Sequence, residues 1–156
     1  MNRPLLEAML TQMKENLQEG NSIGDLKIGA LFALGSQLEA IFYYLGHELA
    51  SKIDVESTKN VDEVIAQLID LGQKYNIGTI EIIENTEQQI TFRLLNGYST
   101  RYIHPETLQT QNTFCSFEAG LFAGLVEKMA GNHVFAQEIN CTCQGKPACE
   151  FMVVFA

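Results

Sequence analysis

The chain has 156 residues, 46% of them hydrophobic, and its formal net charge is −9. This length suits one domain, and the hydrophobic share supplies a core without disulfide staples. Because no cluster of Lys and Arg is present to displace counterions, the composition argues against binding to nucleic acid or to an anionic membrane surface. No apolar run reaches transmembrane length and no signal-peptide pattern opens the chain, so we expect a cytoplasmic protein.

Three helices are predicted in the first half of the chain. Apolar residues recur at three- and four-residue steps over residues 4–19 and again over residues 26–52. A third helix is predicted over residues 61–75, with Asn60 or Asp62 as its N-cap. The apolar stripe of the 4–19 helix has no obvious partner within the chain.

Strand patterns follow the third helix. The β-branched runs at residues 78–84 and 89–95 predict a hairpin, and residues 98–103 predict a further strand. Residues 104–111 form a polar linker.

A glycine-rich helix is predicted over residues 113–131, with Thr113 as its N-cap and Gly131 as its C-cap. Its small residues predict a close helix contact: Ala119, Gly120, Ala123 and Gly124. Two more strands, 133–139 and 149–155, end the chain. Helices that precede strands in this way predict an α+β fold, with helices packed on a twisted antiparallel sheet.

The stretch EINCTCQGKPACEF, residues 138–151, holds three of the four cysteines. Glu138 and Cys149 are predicted on adjacent strands, with Cys141 at the start of the loop between them. Cys115 falls in the first turn of the glycine-rich helix, where the helix dipole favours a thiolate. Three thiolates and one carboxylate form the soft, tetrahedral ligand set of a structural zinc site.

The short separation of Glu138 and Cys141 in sequence requires a bend in the chain if both are to bind one ion. A straight strand would hold Glu138 about 10 Å from Cys141. The chain must therefore bend at Ile139 and Asn140 for both side chains to bind one ion.

The residues alone leave other interpretations open. Cys115 by itself is more often a small buried apolar residue, and Glu138 a solvated strand residue. Cys141 and Cys149 could also pair as a disulfide across a hairpin. Because the spacing lacks paired CxxC knuckles, it favours a metal site and buried free thiols about equally, with a disulfide third.

Residues 115–151 resemble the 4-vinyl reductase domain family. That family shows a cysteine entering a glycine-rich helix, then a glutamate, and then two cysteines separated by a glycine and followed by a phenylalanine. The chain carries every element at the family's spacing: Cys115, Gly120, Gly124, Glu138, Cys141, Gly145, Cys149 and Phe151. Cys143 is an additional thiol, either a spare ligand or a free one.

The resemblance implies that residues 1–156 form one small-molecule-binding domain, with a fold similar to that of TRAPP vesicle-tethering subunits. Such domains are commonly homodimers, and the 4–19 helix would contribute to dimerisation. The family includes the zinc-binding sensor domains of phenol-responsive activators, and it also includes proteins linked to vinyl reduction in chlorophyll synthesis. The implied zinc ligands are Cys115, Glu138, Cys141 and Cys149.

The expected partner is a small hydrophobic or aromatic ligand, with a tetrapyrrole or a hydrocarbon as examples. The cavity that would hold it follows from the family resemblance, since each aromatic residue alone is more often simple core. The candidate lining residues are Phe42, Tyr43, Phe92, Phe114 and Phe122.

Two other functions stay open. One is a protein–protein assembly factor similar to the tethering subunits and without a ligand. The other is an accessory protein for vinyl reduction, which would need an external reductant. Catalysis itself has poor support, because no P-loop, nucleophile elbow or dinucleotide fingerprint is present. A closed cavity would favour the binding domain, whereas an exposed apolar groove with a filled core would favour the assembly factor.

Overall fold

The structure, a computed structural model, describes residues 30, 37–103 and 110–156. The predicted 4–19 helix, the first part of the predicted 26–52 helix and most of the 104–111 linker lie outside these residues. Within the described ranges, no helix combines the length and the apolar composition that crossing a membrane requires.

In the described chain, two helices are followed by two strands, and a third helix is followed by two more strands. The helices are α1 (Leu38–Ala50), α2 (Val61–Lys74) and α3 (Ser116–Ala130). The strands are β1 (Thr79–Asn85), β2 (Gln89–Leu95), β3 (Val134–Asn140) and β4 (Cys149–Phe155), with a short 3-10 helix, Thr142–Gln144, between β3 and β4. The predicted hairpin, the last two strands and the helices over 61–75 and 113–131 are confirmed, with ends shifted by up to three residues.

The four strands form one antiparallel sheet in the order β1-β2-β4-β3. In the centre of the sheet, Phe92 of β2 lies opposite Phe151 of β4. These two rings, together with Phe122 of α3, are almost completely buried. The predicted α+β fold with an antiparallel sheet is therefore confirmed.

Helix α3 is the centre of the molecule. Twelve of its fifteen residues are buried, so it must be covered on nearly all sides. It contacts α1, α2, β3 and β4. A Cβ added at Gly120 would overlap the carbonyl oxygen of Tyr43, and one added at Gly46 would overlap that of Phe117. The small-residue surface of α3 is thus where the α1 backbone packs.

Two predicted helix caps are confirmed. The Asn60 side chain accepts a hydrogen bond from the Asp62 backbone N–H at 2.9 Å, at the start of α2. Gly131 ends α3 with a left-handed φ of 72°. Both signals act within a few residues, which is why the sequence alone reveals them.

The beginning of α3 differs from the prediction. The predicted cap was Thr113, whereas the helix begins at Ser116. The Glu138 carboxylate, from β3, accepts the backbone N–H groups of Phe114 and Cys115 instead. The N-cap residue is Cys115, and a carboxylate that is distant in sequence holds the two residues that precede the helix.

The predicted strand over residues 98–103 is wrong, because the segment forms consecutive turns. The backbone N–H and the hydroxyl of Ser99 donate to the buried Glu118 carboxylate at 2.6 and 2.8 Å. The Arg101 N–H donates to the Gly97 carbonyl at 2.8 Å. These bonds hold the segment against α3 and occupy groups that a sheet ladder would need.

Gly120→Ala is expected to lower the free energy of unfolding by about 2 kcal/mol, because the new methyl group overlaps the α1 backbone. In an open helix the same change would raise stability by about 1 kcal/mol. Urea denaturation measures the difference. Ala66→Gly, at an exposed position of α2, calibrates the intrinsic helix preference with an expected loss of about 1 kcal/mol. A stabilised Gly120→Ala protein would contradict the close approach of α1.

Candidate metal centre

Four predicted ligands from three parts of the chain meet at one end of the sheet. Cys115 immediately precedes α3, Glu138 lies on β3, Cys141 follows β3 and Cys149 begins β4. The pairing of β3 with β4 shifts register between Glu138 and Asn140, which is the predicted bend. The bulge bends the chain, so that Glu138 and Cys141 reach the same cluster.

The three sulfur atoms lie at tetrahedral spacing. The Sγ atoms of Cys115 and Cys149 are 3.6 Å apart, those of Cys141 and Cys149 3.8 Å, and those of Cys115 and Cys141 4.0 Å. Tetrahedral zinc–sulfur bonds of about 2.3 Å place sulfurs about 3.8 Å apart. With a carboxylate oxygen of Glu138, all four ligand atoms lie within 4.8 Å of one another. These four residues could therefore hold a metal ion.

All four cysteines of the chain are buried and free. The Sγ atoms of Cys141 and Cys149 are separated by nearly twice the length of a disulfide bond, about 2.05 Å. The disulfide interpretation therefore has no support in this geometry.

The two oxygens of Glu138 have different surroundings. Oε2 accepts the N–H groups of Phe114 at 2.8 Å and Cys115 at 2.6 Å. Oε1 is buried and has no hydrogen-bond partner among the residues that the structure describes. A buried polar atom without a partner destabilises the fold, and a cation beside it would remove that cost. The donor set and this oxygen both fit a metal ion.

Burial opposes negative charge in the cluster. It raises the pKa of Cys115, and together with the nearby Cys141 it raises the pKa of Glu138 to about 8. The pKa of Cys141 is lowered, because its sulfur accepts hydrogen bonds from Cys115, Cys143 and Cys149. A metal must therefore displace protons from the cluster, so its binding tightens as the pH rises.

Two hydroxyl groups beside Cys149 did not emerge from the sequence analysis. The Oγ1 atoms of Thr142 and Thr100 lie 3.5 and 3.9 Å from the Cys149 sulfur. Thr100 is placed there by the turn that Glu118 anchors through Ser99. The available signal was Glu118 itself, a carboxylate on an otherwise apolar stretch of helix.

Cys143 is buried next to the cluster but is not one of the four candidate metal ligands. It therefore offers a matched control for the other three cysteines.

A groove of about 500 Å³ lies beside the metal centre and is open to solvent. Helix α1, the residues before α3, the first residues of α3 and strand β3 form its sides. We define this groove by Glu39, Tyr43, Ser116, Ala119, Phe135 and Glu138. Glu138 thus belongs both to the candidate metal centre and to the groove wall.

The five predicted aromatic lining residues are divided between the groove and the core. Tyr43 lines the groove. Phe92 and Phe122 pack edge to face, with ring centres 4.9 Å apart. Phe42 and Phe114 are buried with them in the hydrophobic core.

Two relatives from Methanocaldococcus jannaschii are similar in sequence. The uncharacterized protein MJ0150 is 30% identical over 128 residues, which cover 82% of this chain and 70% of that protein. The uncharacterized protein MJ1642 is 27% identical over 120 residues, which cover 77% of this chain and 66% of that protein. The alignments therefore span about two thirds of each relative. The model of one protein family, described as "Protein of unknown function (DUF2507)", matches residues 30–153.

Three solved structures share the fold. The phenol-responsive sensory domain of the transcription activator PoxR, with phenol, has a TM-score of 0.66 at 15% identity, covering 85% of this chain and 72% of that one. A vinyl-4-reductase family protein from Methanocaldococcus jannaschii has a TM-score of 0.58 at 25% identity, covering 99% of this chain and 94% of that one. Trafficking protein particle complex subunit 3 from Naegleria fowleri, covalently bound to palmitic acid, has a TM-score of 0.54 at 14% identity. The match covers 97% of this chain and 93% of that one. The predicted vinyl-reductase-like and TRAPP-like fold is confirmed.

Protein purified without added metal is expected to contain one metal ion per chain, and Cys149→Ser to lose most of it. Removing one of three thiolates from a closed site weakens binding strongly, whereas Cys143→Ser is expected to keep the ion. Elemental analysis with protein quantification measures both. A parent protein without metal and with four freely titratable thiols would contradict the site, as would equal loss from the two variants.

Proposed function

The chain belongs to the family described as "Protein of unknown function (DUF2507)", and we propose that it is a zinc-stabilised binding domain for a small hydrophobic or aromatic ligand. The observation that carries this proposal is the position of Glu138, which joins the candidate metal centre to the groove. A metal bound there would hold one groove wall in place. A sensor or carrier needs such a wall and no catalytic group.

Zinc is the proposed ion because three thiolates and one carboxylate are soft, anionic and tetrahedral in arrangement. Four protein ligands leave no coordination position for water, so the proposed role is structural. The ion would tie the beginning of α3 to β3 and β4. Two of these elements, α3 and β3, border the groove at Ser116 and Glu138.

The groove walls support an apolar ligand. The rings of Tyr43 and Phe135 stack with centres 6.2 Å apart, and Phe135 keeps 56% of its surface exposed. A ligand in the groove would cover such apolar surface. The solved structures add support, since the PoxR sensory domain holds phenol and the Naegleria subunit holds palmitic acid.

An open groove and a core filled with aromatic rings are the features expected of an assembly factor, which is the second candidate function. Helix α1 also exposes an apolar face. That face consists of Ile41, Tyr44, Leu45 and Leu49, each at least 43% exposed. We propose that this face contributes to a homodimer, together with the predicted 4–19 helix, which lies outside the described residues.

Removing zinc with a chelator is expected to lower stability and ligand affinity together, because one groove wall loses its tie. Thermal melting and titration with phenethyl alcohol, a neutral aromatic probe, measure the two effects. Cys149→Ser is expected to cost at least about 3 kcal/mol of stability. Glu138→Gln is expected to cost less, because a neutral oxygen can still bind the ion.

Zinc-free protein that melts and binds the probe like the parent would refute the structural role. Native mass spectrometry of protein purified from its own host would then identify any ligand that occupies the groove independently of the metal.

Leu45→Glu is expected to convert a dimer into a monomer, because it places a charge in the centre of the exposed α1 face. Light scattering at tens of micromolar, about the range in which weak dimers associate, measures the mass. Asp70→Asn, exposed on the different helix α2, is expected to leave the mass unchanged. A monomeric parent would contradict the proposed dimer.

A further inference from the structure

Two hydroxyl groups lie beside one of the three candidate thiolate ligands. The Oγ1 atom of Thr142 is 3.5 Å from the Cys149 sulfur, and that of Thr100 is 3.9 Å from it. Thr142 belongs to the short 3-10 helix that follows β3, whereas Thr100 belongs to the turns that follow β2. Two segments that are distant in sequence therefore each bring a hydroxyl group to the same sulfur.

The hydroxyl group of Thr100 depends on this contact. Thr100 is buried, with 8% of its surface exposed, and the Cys149 sulfur is the one hydrogen-bond partner of its hydroxyl among the described residues. Buried polar groups need a partner, and a neutral thiol is only a weak acceptor. Because hydrogen bonds to a charged acceptor are about twice as strong, a metal-bound thiolate at Cys149 would give Thr100 the acceptor that its burial requires.

The candidate metal centre also needs hydrogen-bond donors. With the proposed zinc bound, four anionic ligands surround an ion with two positive charges, so negative charge remains in a buried place. Donors that share this charge lower the cost of burying it. The Glu138 carboxylate receives two backbone N–H groups, at 2.8 and 2.6 Å. The two hydroxyl groups are placed to do the same for the Cys149 sulfur.

A buried carboxylate on α3 holds Thr100 in position. Glu118 is completely buried and accepts both the backbone N–H and the hydroxyl group of Ser99, at 2.6 and 2.8 Å. Ser99 directly precedes Thr100, whose own backbone N–H donates to the Gly97 carbonyl at 3.1 Å. Glu118 is not one of the four candidate ligands, yet it fixes the turn that carries a hydroxyl group to one of them.

We propose that Thr100 and Thr142 donate hydrogen bonds to the metal-bound sulfur of Cys149. Glu118 is then a positioning residue, because it acts on the metal through Ser99 and Thr100. The two hydroxyl groups draw negative charge away from the sulfur, which strengthens metal binding and raises the energy of charge transfer from sulfur to metal. This inference rests on the proposed zinc-stabilised function and names the residues that support its metal centre.

Cobalt(II) in place of zinc reports on the sulfur ligands, because charge transfer from a thiolate to cobalt(II) absorbs light in the near ultraviolet. In the full chain, Thr100→Val is expected to shift this band to longer wavelength. It is also expected to weaken zinc binding about tenfold, as measured by competition with a chelator. Thr142→Val is expected to act in the same direction, and it supplies the test if Thr100→Val does not fold, because Thr142 is only half-buried.

Thr91→Val is the matched control. Thr91 is as buried as Thr100, at 8% exposure, but it lies on β2 opposite Met152, three residues along β4 from Cys149. Its cobalt band and zinc affinity are expected to equal those of the parent. Parent-like bands and affinities in both hydroxyl variants would overturn the inference and leave the zinc centre standing. A parent protein that binds no zinc and shows no cobalt band would overturn both.

Ser99→Ala tests the positioning role of Glu118. It removes one of the two hydrogen bonds to the carboxylate and is expected to shift the cobalt band in the same direction as Thr100→Val, by a smaller amount. In the Thr100→Val background it is expected to add no shift, because both changes act through one hydroxyl group. A Ser99→Ala protein with a lower melting temperature and an unshifted band would overturn the positioning role, as would a further shift in the double variant.

Discussion

The Glu138 carboxylate is the interaction on which the rest of the site depends. It is buried, and one of its oxygens accepts the backbone N–H groups of the two residues that precede α3. The other oxygen has no hydrogen-bond partner among the described residues, and the carboxylate stands beside three buried sulfurs. A carboxylate in such a place is stable only if hydrogen bonds or a cation compensate its burial. The two N–H bonds supply one part of this compensation, and a metal ion would supply the other.

The close approach of α1 and α3 determines what the remaining surfaces offer. Because Gly120 and Gly46 let the two backbones touch, α1 has little freedom to rotate about its axis. Tyr43 is therefore held against the groove, while Leu45 is left exposed on the outer side. The contact between α1 and α3 thus positions both the groove that is proposed to bind a ligand and the apolar face that is proposed to bind a second copy of the chain.

The charge of the metal centre depends on whether a metal ion is bound. Three sulfurs cannot all ionise in a buried cluster without a cation, which is why burial raises the pKa of Cys115. A bound zinc ion would permit ionisation and still leave a negative centre next to the groove wall.

Local chemistry in the sequence determined the elements that form and the identity of the sulfur cluster. Strand alternation, the caps at Asn60 and Gly131 and the small residues of α3 act over a few residues, so the pattern alone predicted them. The four candidate metal ligands were predicted from their chemistry and from the family motif. Only the tertiary structure decided the features that depend on distant carboxylates. Glu118 binds the segment that was predicted as a strand, and Glu138 binds the residues just before α3, because a buried carboxylate binds whichever N–H groups the fold brings to it.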